Sequence, residues 1–394
     1  MGIVGLGKIT LTKLVYNNEL IKKHFDVLAW VNVGKHFDVE GILREILKSL
    51  EEDLSGLEYD EILEKCREKL WAKKYLLILD DVQNEDPKKW DALKGCLSAI
   101  NSKTGNNIVV TTRSDNVAEI METHPKHQLE KLSKDDCWSI FKKRTFVNGK
   151  FPLALDLEAI GREIAKRCGG IPWAARVLAG VMCFKCEKSE WLLFHNNKIW
   201  DLLDDDNNDV FLISKLSLDL FLTPSLKRCL AYCAIFPKYY EMKREEVIQH
   251  WMAEGFLEPF KESNMMMEEI GNMYFNILLA TSFFQNARKD DYGNIISCKM
   301  HDLAHDFALS ISKSETLIWE GESLDNFSNV QHLFVQFDGH TTLGISFTGD
   351  CFTKLRTLFS KNIDFGDMLS NFKCLRVLKL RGHNIIELPN SVKH

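Results

Sequence analysis

Along the first third of the chain, short and almost wholly apolar runs alternate with longer stretches in which apolar residues recur every three or four positions. DVLAWVNV (26–33), YLLILD (75–80) and NIVVTT (107–112) are of the first kind. Runs that are apolar on both faces suit strands buried in a parallel sheet. VEGILREILKSL (39–50) and EILEKCREKLW (61–71) are of the second kind and predict amphipathic helices. The alternation predicts a three-layer α/β domain over residues 1–128. From about residue 130 to 310 the pattern turns mostly helical, and the acidic run DLLDDDNND (201–209) marks a solvated boundary inside it. Met265, Met266 and Met267 read as helix or loop filler. Near the end, FTKLRTLF (352–359) and FKCLRVLKLRGHNIIELPNSV (372–392) resemble each other about 20 residues apart. Leu375, Leu378 and Leu380 give L-x-x-L-x-L, and Leu388-Pro389 closes the unit. This predicts the start of a leucine-rich repeat array over 313–394, with roughly two units where at least three are normally needed to bury their faces.

Composition acts mainly by exclusion. With 394 residues, 45% hydrophobic and 27% charged, a folded soluble chain of several domains is expected. The net charge of −6 argues against general nucleic-acid binding. No apolar run reaches the length of a membrane span, ILLATSFF (277–284) being among the longest. No secretory signal precedes the first loop, and Leu6 stands where a myristoylation signal wants Ser or Thr. Eleven scattered cysteines read as reduced thiols of a cytoplasmic protein.

Candidate chemistry begins at the first residues. MGIVGLGKIT carries Gly2-x-x-x-x-Gly7-Lys8, the spacing of a phosphate-binding loop. Such a loop aims backbone N–H groups at phosphate oxygens above a helix N-terminus. Gly2, Gly5 and Gly7 permit the close approach, and Lys8 supplies the cation for the β- and γ-phosphates. KKYLLILDDV (73–82) ends an apolar strand in two carboxylates, at the sheet edge where ligands bind. Asp80 is the candidate magnesium carboxylate and Asp81 the candidate catalytic group that orients water. Arg113 follows the strand NNIVVTTR (106–113) at the same edge, where a cation can read a terminal phosphate.

These blocks resemble the plant intracellular immune receptors built on an NB-ARC module and leucine-rich repeats, of the coiled-coil type. FDVLAWVNV (25–33), NNIVVTTRSDNVA (106–118), LEKLSKDDCWSIF (129–141), CGGIPWAARVLAG (168–180), LKRCLAYCAIFPKYYEMKREEVIQHWMAEGFL (226–257) and KMHDLAHDFA (299–308) carry the likeness over nearly the whole chain. The resemblance implies a P-loop NTPase sheet whose first strand is missing here, a helical subdomain (129–205), a winged-helix subdomain (206–312) and the beginning of the repeats. It implies that Pro172 packs near adenine, that Thr10 lies near the α-phosphate and that His301 approaches the β-phosphate of ADP. It also implies an ADP/ATP switch that self-associates when active, with a pathogen effector or guarded host protein engaging the repeats.

Departures from the family pattern are equally specific. Ile9 replaces the magnesium-binding Thr, which predicts impaired Mg2+-dependent hydrolysis. Val4 replaces a loop glycine and brings a β-branched residue to a turn that favours φ > 0. Gln83 replaces a Trp after the paired aspartates, and Trp173 replaces a Leu beside Pro172. Without its first strand the loop is expected to lack an anchor, and two strands to lack a partner. The alternative is a fragment that binds no nucleotide and serves as a scaffold or decoy. Two zinc readings are weak: His301 and His305 lack the Glu of a zinc peptidase, Asp302 standing in its place, and Cys183 and Cys186 lack a second ligand pair.

Overall fold

YLLILD is buried at every position, so both of its faces need cover. The computed structural model describes residues 1–34, 37–54, 56–101, 105–146, 155–185, 187–197, 200, 223–258, 265–319, 329–335, 353–361, 369 and 372–381. Cys186, the acidic run and Leu388-Pro389 lie outside the described residues. One compact unit comprises Met1–Ser133 with Gly170–Trp173, and a second comprises Lys134–Gly169 with Ala174–His394.

In the first unit, β1 (Val27–Asn32), β2 (Tyr75–Asp80) and β3 (Asn107–Val110) form a parallel sheet in the order β1-β2-β3. Register pairs Asn32 with Asp80 and Leu79 with Val110. The strand order differs from the expectation of unpartnered neighbours: β2 is central and hydrogen-bonds directly to both flanking strands. Helices α1 (Lys8–Tyr16) and α2 (Glu19–His24) precede β1, and α3 (Val39–Ser49), α4 (Tyr59–Leu70), α5 (Pro87–Ile100) and α6 (Asp115–Met121) follow it in chain order. Ile42, Leu43, Ile46 and Leu47 of α3, Ile62 and Leu70 of α4 and Trp90 and Leu93 of α5 cover one face, with Ala29, Val31, Leu77 and Leu79. Leu76 and Ile78 face the other way, against Phe25, Tyr16 and Trp30. This is the three-layer α/β arrangement that the alternating pattern predicts. Caps close the helices locally: Asp38 accepts the Gly41 N–H at 2.7 Å, and Asp86 accepts the Lys88 N–H at 2.9 Å ahead of Pro87.

The second unit starts with α7 (Lys134–Thr145), α8 (Leu155–Lys166), α9 (Pro172–Met182, which belongs to this unit from Ala174 on) and α10 (Lys188–His195), with Trp138, Phe141, Trp191 and Phe194 buried among them. Next come α11 (Pro224–Tyr232), β4 (Met242–Lys243), α12 (Arg244–Glu254), α13 (Met267–Ala280), the hairpin β5 (Phe284–Lys289) and β6 (Ile295–Met300), and α14 (Asp302–Ser312). The sheet here is antiparallel in the order β4-β6-β5. Arg144 of α7 grips the end of α13, donating to the carbonyls of Leu279 at 2.9 Å and Ala280 at 2.6 Å. Gly180 of α9 lies so close to the same helix end that a Cβ would stand 2.2 Å from the Ala280 carbonyl oxygen.

The remaining strands, β7 (Thr316–Trp319), β8 (His332–Val335), β9 (Thr357–Lys361) and β10 (Val377–Arg381), form a parallel stack. Val377 pairs with Thr357 and Arg381 with Lys361, the 20-residue offset expected of the two repeats. Two further strands, β7 and β8, precede them and are absent from the sequence reading. Leu333, Val335, Leu355, Leu358, Leu369 and Phe372 form the stack's own core.

Candidate nucleotide-binding site

The phosphate loop is built from backbone. Gly5 and Gly7 take φ of 83° and 93°, a region that is costly for any residue with a Cβ. Val4 does not share that region, so its β-branch brings no strain of that kind to the loop. Gly7 is the N-cap of α1, no side chain caps the helix, and its first turn holds no acidic residue. An uncapped N-terminus behind a glycine loop attracts an anion through its N–H groups and its partial positive charge. Backbone bonds tie the loop to the ends of neighbouring segments, so it does have an anchor. The Met1 amine donates to the His127 carbonyl at 2.7 Å, the Gly2 N–H to Thr112 at 3.4 Å and the Leu129 N–H to Met1 at 2.9 Å.

Lys8 turns back over the loop, its ammonium donating to the carbonyls of Gly2 at 2.7 Å and Ile3 at 3.1 Å. Ile9 is half-buried and has no oxygen to offer, while the Thr10 side chain is exposed. The segment Gly170–Trp173 belongs to the same unit as the loop. There the Trp173 N–H donates to the Gly5 carbonyl at 3.3 Å, and Gly170 accepts from the Leu132 N–H at 2.8 Å. Pro172, the first residue of α9, is thereby tied to the loop through its neighbour.

At the C-terminal ends of β2 and β3 the paired carboxylates meet Thr111 and Arg113. The Thr111 hydroxyl donates to Asp80 and accepts the Asp81 N–H at 2.9 Å, so one hydroxyl orders both residues. Asp80 is 1% exposed; burial pushes its carboxyl up, with Asp81 adding and Thr111 and the Lys8 charge opposing. Asp81 adopts φ of 54° and its carboxylate faces Arg113, with Nε–Oδ1 and Nη2–Oδ2 both 3.3 Å. Gln83 adds a third donor, its amide reaching Asp81 Oδ2 at 2.6 Å.

Gly2, Gly5, Gly7, Lys8, Asp80, Asp81, Arg113 and Pro172 thus belong to one unit. His301 lies in the other. There it caps α14, its Nδ1 accepting the Leu303 N–H at 3.2 Å, which leaves the proton on Nε2. His305, one turn on, is buried with Nε2 at 2.8 Å from the Phe236 carbonyl. Thr111 is the residue that sequence reasoning passed over. The only signal was the pair of threonines directly before Arg113.

Residues 1–150 match the NB-ARC domain, and residues 235–308 match the disease resistance protein winged helix domain. The whole chain is 34% identical over 395 residues to the putative disease resistance protein RGA1 of Solanum bulbocastanum. It is likewise 34% identical over 397 residues to the disease resistance protein RGA2 of the same plant. Over 99% of its length it is 29% identical to the disease resistance protein RPM1 of Arabidopsis thaliana. It spans 37%, 38% and 43% of these relatives, respectively. No described helix is long and apolar enough to cross a membrane.

Proposed function

The chain belongs to the NB-ARC family of plant disease resistance proteins, and on that premise we propose that it is the nucleotide switch of an intracellular immune receptor. The observation that carries the reading is the uncapped α1 N-terminus behind Gly5 and Gly7, in one unit with Lys8, Asp80 and Arg113. The bound nucleotide supplies a diphosphate or triphosphate whose charge the two states distinguish. The loop N–H groups hold the phosphates, and Lys8 transfers its hydrogen bonds from the Gly2 and Ile3 carbonyls to them. Thr10 stands near the α-phosphate, Pro172 and Trp173 flank the adenine, and His301 answers the β-phosphate of ADP. Asp80 is the carboxylate available to Mg2+, and Ile9 removes the usual second oxygen, so hydrolysis is weak. Asp81 can orient water only after Arg113 has left it.

In the same reading, residues 129–205 and 206–312 are the helical and winged-helix subdomains, and 313–394 begin a repeat surface for an effector or a guarded host protein. The active form self-associates, in the cytoplasm. Nucleotide released by denaturing the purified protein and resolved by chromatography tests the proposal: ADP is expected. A chain that carries none, and whose melting neither ADP nor ATP shifts, is instead the scaffold or decoy.

A further inference from the structure

Asp81 is held from three sides, by Thr111, Gln83 and Arg113. It is 5% exposed, and its backbone sits at φ of 54°, which a non-glycine residue keeps only where its surroundings over-determine it. Those surroundings are named: Thr111 fixes the N–H, Gln83 holds one carboxylate oxygen, and Arg113 covers both. Arg113 presents two N–H groups in the forked geometry with which a guanidinium also grips a phosphate. A carboxylate and a terminal phosphate are therefore competitors for the same fork. Gln83 belongs to this arrangement and stands where the resemblance expects a Trp, a residue whose single N–H sits on a rigid ring.

We propose that Asp81 is an internal substitute for the terminal phosphate, and that the Asp81–Arg113 pair makes the site select a diphosphate over a triphosphate, Gln83 being the donor that stays on Asp81 when Arg113 leaves. The inference rests on the nucleotide-site reading and deepens it. A diphosphate occupies the loop without touching the fork. A triphosphate has to draw Arg113 away and leave Asp81 buried with Gln83 alone. The selectivity is thus written into a residue pair at the sheet edge, in addition to whatever the loop contributes.

The test is equilibrium binding of ADP and of a non-hydrolysable ATP analogue to the full chain, with and without magnesium. Asp81→Asn removes the charge, keeps the shape, and suits the left-handed backbone, where Asn is among the best-tolerated residues. The expected result is a rise of at least tenfold in analogue affinity relative to ADP. Gln83→Leu should move the ratio the other way, toward ADP, because Asp81 then keeps no side-chain donor once Arg113 has left it. Arg113→Gln should leave ADP binding in place and abolish the gain when combined with Asp81→Asn. An unchanged ratio in Asp81→Asn, with ADP still bound, overturns the proposal and spares the nucleotide site. Equal weakening of both ligands also overturns it, because Asp81 would then be an ordinary ligand-side group. A wild-type chain that binds neither nucleotide overturns both. If Asp81→Asn does not fold, Gln83→Leu decides alone: a lowered analogue-to-ADP ratio supports the substitute, and an unmoved or raised one rejects it.

Discussion

Glu254 ends α12 with a side chain that has no exposure at all, and replacing it with Gln should loosen the whole junction between that helix and the strand stack. Its carboxylate pairs with Arg356 at 2.9 Å and accepts the Thr357 hydroxyl at 2.7 Å. Its backbone carbonyl accepts from Arg356 at 2.8 Å and from Arg376 at 2.9 Å. Arg356 and Arg376 precede β9 and β10 at equivalent positions, 20 residues apart, so successive repeats close on one helix end. His332 sits 3.7 Å from the carboxylate, but burial and then the Arg356 charge hold its pKa down at about 4, so Arg356 is the counter-ion at neutral pH. Removing one partner of a buried pair costs about 3–5 kcal/mol. Arg356 retains 26% exposure and can recover part of its hydration, which places Glu254→Gln near the lower end, at about 3 kcal/mol. For a unit of this size that lowers the melting temperature by roughly 6–12 °C. Amide hydrogen exchange should locate the loss in β8, β9, β10 and the last turn of α12. Adding Arg356→Met should restore part of it, since no charge is then left unpaired. A loss below about 0.5 kcal/mol, the level of an exposed pair, would refute the view that this charge is structural.

Other consequences are as direct. His250 and His332 both have pKa values lowered to about 4 by burial. Between pH 6.5 and 4 the unfolded chain binds protons that the folded chain refuses, so their stability contribution is present above that window and lost as pH falls through it. Denaturant midpoints should fall on acidification with a slope from these two sites of up to about 2.7 kcal/mol per pH unit, and a His332→Asn chain that keeps the full slope would show the assignment wrong. Gly180→Ala forces a Cβ to 2.6 Å from Thr281 Cα, and calorimetry should register a loss of about 3 kcal/mol or more. Ile9→Thr should create magnesium-dependent ATP binding that the parent chain lacks; equal dependence in both would clear Ile9 of disabling the site. His301→Ala removes a donor worth about 1.5–3 kcal/mol, so ADP affinity should fall at least tenfold by titration calorimetry, and an unchanged value removes His301 from the site.

What could be read from the sequence was what local chemistry determines. The strands at Val27–Asn32 and Tyr75–Asp80 were visible because a run apolar on both faces has few other uses. The phosphate loop was visible because its glycines serve backbone angles, and backbone angles are encoded at the residue itself. Thr111 was not visible, because its role depends on register. Only the pairing of Leu79 with Val110 brings its hydroxyl between Asp80 and Asp81. The strain expected at Val4 did not materialise, since the neighbouring glycines Gly5 and Gly7 take the positive φ values instead. The strands β7 and β8 escaped notice because Thr316, His332 and Thr357 begin successive strands at uneven intervals, which hides the repeat. Glu254 carries no local signal of its role, because its partners at 332, 356, 357 and 376 lie far along the chain.

Two arginine–carboxylate pairs in this chain look alike on paper and differ in what they can do. Glu254 and Arg356 stand 2.9 Å apart with the carboxylate fully enclosed, and the same arginine and its repeat equivalent also bind the helix carbonyl. Breaking that pair breaks a helix terminus, so no ligand of modest affinity can drive it. Asp81 and Arg113 stand 3.3 Å apart, with the arginine 29% exposed at a sheet edge. Long contacts and partial hydration make the Coulombic term smaller and the exchange of one anion for another cheaper. A switch requires an interaction that a ligand worth a few kcal/mol can replace, because a shift from mostly one state to mostly the other takes about 5.5 kcal/mol of differential binding. The pair at the sheet edge falls within that range, and the pair at the end of α12 does not. Ligand-driven change should therefore begin at Arg113, while α12 and the strand stack are held to each other by Glu254.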